Sequence, residues 1–272
     1  MEKYKSVFLC VSIVLVMFLI LFIFLIYNRV GNAQDTYLFC RKYSDNTVKW
    51  NLEELPRPDS LDFLQGSKSK KVDSVELNNH YCLSFGPVGS KTSAPFAFSC
   101  YPSGKDGQSI SFMTFKYAPS CDYSNIYEKG LAFDGVFLKI GNYVTYTFRH
   151  LPSVLVFDAK GRFMKDIHTN DNVPCPSIIR YKEYYIYERG KAFNSNVSSF
   201  VKGQFVYVFS YRIPRMEKRF IVDVYSLETG RYQYSVNIDN KGKYANTDID
   251  KVFSVGKEIY IDTRMDLLKL SL

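Results

Sequence analysis

Two stretches of this chain carry the same landmarks in the same order, and that duplication limits the fold more than any other feature. "YEKGLAF" (127–133) returns as "YERGKAF" (187–193). "GNYVTYTF" (141–148) returns as "GQFVYVFS" (203–210), and "VLVFDAKGRFMKDI" (154–167) as "IVDVYSLETGRYQYSVNI" (221–238). A third, partial copy, "GKEIYIDT" and then "LLKLSL", ends the chain within 256–272. In all of them apolar and polar residues alternate with period two, and β-branched and aromatic residues dominate. Each complete copy reads as four strands joined by tight turns. The turns are expected at Gly130, Gly141, Gly161, Gly190, Gly203, Gly230 and Gly256. "DAKG" (158–161) has the chemistry of a turn that ends in a left-handed glycine.

A four-stranded antiparallel unit of about 40 residues, repeated, is a propeller blade. It cannot bury both faces alone, so its neighbours must stack on it. The sequence therefore predicts an all-β chain, a β-propeller. Aromatics at 17% of the chain, with 22 Tyr and 22 Phe, suit half-buried pleated surfaces. The length beyond residue 33 gives room for roughly six blades, and irregular spacing makes five or six the expectation. The last copy lacks a fourth strand. "TYLFCRKY" (36–43) is expected to supply it and remove the free sheet edge. "WNLEELPRPDSLDFL" (50–64) reads as one short helical turn before Pro56, and no other amphipathic helix is expected.

The start of the chain is different. Residues 7–27, "VFLCVSIVLVMFLILFIFLIY", carry no charge. At about 1.5 Å per residue they span about 30 Å, a bilayer's hydrocarbon thickness. This predicts one N-terminal transmembrane helix after a short tail (1–6), then a linker (28–34) and the propeller domain (35–272). A small-x-small pattern at Gly31-Asn32-Ala33 offers a cleavage site, but Arg29 beside the apolar run argues against its use. Lysines and arginines flank both sides, so charge does not set the orientation. Five cysteines follow the anchor. In an exported domain Cys82, Cys100 and Cys121 are the disulfide candidates; burial as small hydrophobes is the equal alternative.

Few residues carry a signal for chemistry. The net charge of +8 is spread along the chain, densest at "KSKK" (68–71) and "RMEKR" (215–219), without the basic stripe of a nucleic-acid module. No nucleic-acid partner is expected. "GPVGSKT" (86–92) fails phosphate-loop spacing because Ser90 separates Gly89 from Lys91. "NIDNKGKYANTD" (237–248) resembles a calcium loop, but Lys241 takes a ligand position. His80, His150 and His168 sit in no catalytic or metal motif. No cofactor, metal or catalytic residue is expected. "NVS" (196–198) is a glycosylation sequon in a turn-rich stretch.

"DGVFLKIGNYVTYTF" (134–148) followed by "SVLVFDAKGRFMKDIHT" (153–169) resembles the TolB-like six-bladed propeller proteins, particularly membrane-anchored forms from Bacteroidetes. The likeness covers 127–272 well and 44–126 poorly. It implies a non-enzymatic binding or scaffold module at the bacterial cell envelope, a single-pass inner-membrane protein whose C-terminal domain lies in the periplasm or outside. A peptide, a glycan or another envelope protein would be its ligand. The alternatives are a propeller hydrolase with its active site at the channel mouth, and an adhesion or viral-type glycoprotein with a β-sandwich ectodomain.

Overall fold

The computed structural model describes residues 15–21, 37–44, 50–56, 74–78, 81–88, 91–102, 112–116, 121–214, 217–263 and 265–271. The chain divides into two units, Met1–Thr36 and Tyr37–Leu272. In the first, residues 15–21 are helical. Among the described residues no helix is long and apolar enough to cross a membrane. The rest of the expected anchor, and the 28–34 linker, lie outside them.

The second unit is all-β. Four antiparallel sheets of four strands account for most of it. The first holds β2 (Ser74–Asn78), β3 (Tyr81–Pro87), β4 (Phe96–Pro102) and β5 (Phe112–Lys116). The second holds β6 (Gly135–Ile140), β7 (Tyr143–Phe148), β8 (Ser153–Asp158) and β9 (Phe163–His168). The third holds β12 (Asn196–Lys202), β13 (Phe205–Ser210), β14 (Phe220–Ser226) and β15 (Tyr232–Ile238). In each, consecutive strands are neighbours. The fourth holds β16 (Lys251–Val255), β17 (Glu258–Asp262) and β18 (Leu267–Ser271), and its fourth strand is β1 (Asn51–Leu55). Among the described residues the unit also has a two-stranded hairpin, β10 (Ile178–Tyr181) and β11 (Tyr184–Tyr187), an α-helix, α1 (Ile126–Ala132), and a 3-10 turn at Asn246–Asp248.

Near-continuous apolar runs such as "VLVF" are explained by burial on both faces. Along β8, Leu155 and Phe157 pack on Leu83, Phe85 and Phe98 of the first sheet. The alternate residues Val154 and Val156 pack on Val206, Val208 and Tyr225 of the third. The third sheet repeats the device: Tyr207 and Phe209 join Val222 and Val224 against Ile259, Ile261 and Leu268 of the fourth. Strand residues of period two thus feed two different cores, and the sheets stack in chain order. Each fully buried Val, Leu or Phe contributes about 1.5–3 kcal/mol.

Several expectations are corrected. The closing strand is β1, not 36–43: Asn51 pairs with Ser271 and, in continuous register, Leu55 with Leu267. "NLEEL" is therefore a strand rather than a helical turn. Its Glu53 and Glu54 guard an outer edge, where charge is tolerated. The described part of that stretch, 37–43, instead reaches the outer edge of the third sheet. Tyr43 bridges Ser235 in parallel, with Ser235 N donating to the Lys42 carbonyl at 2.8 Å.

The pair "YEKGLAF" and "YERGKAF" is not a structural repeat. The first is α1, started by a capping box in which Asn125 Oδ1 accepts from Glu128 N at 3.0 Å and Glu128 reaches back to Asn125 N. The second closes the β10–β11 hairpin. Gly130 accordingly lies inside a helix and not at a turn. Among the described residues there are four four-stranded sheets, not five or six. The 169–195 segment is spent on the hairpin, and β8 and β9 meet the third sheet directly.

The other six glycines have positive φ, from +56° at Gly141 to +77° at Gly161. Gly161 must also be bare for space, since a Cβ there would lie 2.5 Å from Cys100 Sγ. Gly135 is a glycine that the repeat does not flag. Its Cβ would meet the Thr147 carbonyl oxygen at 2.5 Å and the Tyr146 ring at 2.8 Å. Gly135→Ala is expected to cost about 1–3 kcal/mol through overpacking. The check is urea unfolding, with a lowered midpoint and an unchanged slope.

Candidate functional site

The first strands of the sheets converge on β6. Lys139 Nζ donates to the Glu76 carbonyl of β2 at 3.0 Å. Ser254 Oγ of β16 donates to the Lys139 carbonyl at 2.5 Å. On β7, Thr145 Oγ1 donates to the Ser199 carbonyl of β12 at 2.6 Å, and β12 itself approaches β6 and β16. A cavity lies at each end of this inner cluster. The cavity at the strand ends, about 480 Å³, is lined by Ile140, Tyr143, Val201 and Leu270 with Lys202, Lys257 and Glu258. The one at the strand starts, about 90 Å³, is lined by Val136 and Phe137 of β6, Asn196 and Val197 of β12, Lys251 and Val252 of β16, and the flanking Arg149, Asn194, Tyr211, Ile249 and Asp250.

One residue of the second cavity's wall, Asn196, belongs to a buried polar network that extends behind it. Asp171 is buried, and its carboxylate accepts from Thr169 Oγ1 at 2.8 Å and from Ser195 Oγ. Burial pushes its pKa up, while the Ser195 and Thr169 hydroxyls pull it back. Because both hydroxyls spend their protons on Asp171, their oxygens can only accept. Asn196 Nδ2 donates to Ser195 at 2.9 Å and to Thr169 at 3.3 Å. The network thereby fixes the amide, and Asn196 Oδ1 is left with no donor although the residue is only 2% exposed. A buried acceptor without a partner costs about 1–3 kcal/mol. A ligand N–H or O–H that reaches it gains that much in return.

Ser195 bonds Asp171 directly, with no histidine between them, and is fully buried, so this is not a nucleophile and its base. His150 is also buried. Its Nδ1 donates to the Phe193 carbonyl at 3.2 Å, since a carbonyl can only accept. Burial lowers its pKa, outweighing the Phe193 hydrogen bond and the charge of Asp134; Arg149 and Arg212 also press it down. The unfolded chain therefore binds the proton first, and stability is lost as pH falls below about 6.5. Wild type is expected to melt lower at pH 5.5 than at pH 7.5, and His150→Gln should shrink that gap. Scanning calorimetry at the two pH values checks it.

None of the residues singled out from sequence for disulfides or turns lines this cavity; Gly141 lines the other. Cys121 is bonded to Cys175, while Cys82 and Cys100 are free. Cys82 pairs with Tyr101 and Leu83 with Cys100, so the two cysteines point to opposite faces of one sheet and cannot bridge. Burial pushes the Cys100 thiol up to about 11. The sequon is overturned as a glycan site: Asn196 begins a strand and is buried. The "NIDNKGKYANTD" carboxylates are engaged, Asp239 by Lys241 N at 2.8 Å and Asp248 by Ala245 N at 2.8 Å. His168 is an exposed residue of β9, and His80 lies outside the described residues. Among the described residues no group of three His, Cys, Asp or Glu side chains is placed to hold a metal. No protein-family model matches the chain, and no curated protein matches it.

Proposed function

We propose that the chain is a membrane-tethered, non-enzymatic β-propeller, a binding or scaffold module at the bacterial cell envelope. In this reading it takes a peptide, a glycan or another envelope protein at the Asn196 end of its axis. The observation that carries it is the meeting of the inner strands on β6, with a cavity at their starts whose wall holds an unpartnered buried acceptor. Closure of the last sheet by a strand from the N-terminal side is the way propellers remove free edges. The apolar run 7–27 supports the tether. The Cys121–Cys175 disulfide supports an oxidising compartment, periplasmic or outside. Fold analogy supplies the ligand classes, and the direct Ser195–Asp171 bond weighs against the hydrolase.

The test is a photo-crosslinking amino acid at Tyr211, on the cavity wall, in the full chain within its own membranes. One discrete adduct is expected, competed by the captured partner. Loss of the aromatic in Tyr211→Ala is expected to weaken binding about tenfold or more, the scale of an interface anchor. No adduct from position 211, together with turnover of a hydrolase substrate panel, would reverse the proposal.

A further inference from the structure

We infer that the outer face of the β10–β11 hairpin is a lipid-contact surface that rests on the anionic headgroups of the bilayer. This rests on the membrane-tether reading above. The hairpin has two unlike faces. Ile178 pairs with Tyr187 and Arg180 with Tyr185 on the inner one. There Tyr185 stacks on Tyr127 of α1 at 5.5 Å, and Tyr187 OH donates to the Leu131 carbonyl at 2.8 Å. On the outer face Ile179 pairs with Ile186 and Tyr181 with Tyr184. All four are exposed, from 40% for Ile186 to 70% for Tyr184. Four large apolar side chains side by side on a two-stranded hairpin form a contiguous patch, not scattered exposure.

Charge and connectivity select the occupant. Glu188 is neutralised by Lys191 at 2.7 Å. Lys182 of the turn and Arg189 then outweigh Glu183 in the sequence that flanks the patch. Tyrosines with apolar neighbours and a cationic rim match the boundary between headgroups and acyl chains, where the ring is buried and the hydroxyl stays wet. The chain also enters the domain here. The Tyr37 ring packs on Phe193, just beyond the hairpin, at 5.0 Å. The sequence between the apolar run 7–27 and Tyr37 reaches at most about 35 Å when fully extended. The hairpin base is therefore tethered within that reach of a bilayer, at a high effective concentration of headgroups.

The test places a fluorophore on the patch with Tyr184→Trp in the full chain, reconstituted in phosphatidylcholine nanodiscs with and without phosphatidylglycerol. The native indole, Trp50, packs against Phe200 and Tyr207 and gives a constant background. An unchanged melting temperature verifies folding. Emission of the introduced indole is expected to fall about twofold or more with lipids brominated near the headgroup when phosphatidylglycerol is present. The quenching is expected to be lost in about 0.5 M salt and in K182S/R189S. Equal quenching in neutral and anionic discs would overturn the anionic assignment. No quenching in a protein that resists alkaline carbonate extraction would overturn the inference and leave the tether standing. A dimer or strand-adding partner lost in Y181S/Y184S would then mark the face as a protein surface. Extraction by carbonate would remove the tether, and the inference with it.

Discussion

Arg41→Ala is expected to destabilise the domain by about 3–5 kcal/mol, the cost of leaving one member of a buried ion pair alone. The Arg41 side chain is 4% exposed and that of Asp223 is 2% exposed. Arg41 Nε and Nη2 donate to the two Asp223 carboxylate oxygens at 2.8 and 3.0 Å. Nη2 also donates to the Arg212 carbonyl at 2.7 Å, and Ser235 Oγ donates to Asp223 at 2.6 Å. The guanidinium lies 4.3 Å from the Phe39 ring centroid. Burial alone would lower the Arg41 pKa; Asp223 more than reverses it, so the guanidinium is held charged. Without the cation only Ser235 remains to satisfy a desolvated carboxylate. Arg41→Met with Asp223→Leu removes both charges and should recover most of the loss. Urea unfolding of the two variants measures this. A loss under about 1 kcal/mol would mean that 37–44 is not held on the third sheet.

Loss of the Cys121–Cys175 bond should cost about 4 kcal/mol, given its sequence separation of 54. The bond joins the segment before α1 to the segment before β10, which also meet where Tyr123 OH donates to the Pro176 carbonyl at 2.8 Å, beside the contacts of α1 with Tyr185 and Tyr187. Cys121→Ser, Cys175→Ser and reduction of wild type should each lower Tm by about 8–16 °C for a domain of this size. Hydrogen exchange should rise first over 121–132 and 175–191, ahead of the sheets. Cys40, Cys82 and Cys100 have no partner to lose.

The strands of the second and third sheets were legible because β-branched and aromatic residues dominate them and each is bounded by a glycine turn. β7, β8, β13, β14, β15 and β17 all fall where period two places them. The first sheet was not: β2, "SVELN", is short and polar, and the strands that follow share no landmark with the repeat. β1 was hidden because its strand character comes from β18, its partner in space, and not from "NLEEL" itself. The α1 helix was masked by a coincidence of composition with 187–193. Asn125 and Glu128, spaced as a capping box, carried the local signal that distinguishes the two. The Asn196 site had no such signal. Its network joins 169–171 to 194–196, so only the fold brings the residues together. Cys175 pairs with Cys121 for the same reason.

Cross-linking tests most directly whether β1 closes the last sheet. Glu53 and Lys269 are register partners, and facing residues of antiparallel strands lie about 4.5–5.5 Å apart at Cα, within disulfide reach. In a chain with Cys40→Ser and Cys82→Ser, the pair Glu53→Cys and Lys269→Cys should form an intramolecular disulfide in near-full yield on mild oxidation. The pair Lys42→Cys and Lys269→Cys should not. The reverse outcome, with 42 linking to 269 and 53 failing to, would put 36–43 in the closing position and contradict the arrangement of sheets described above.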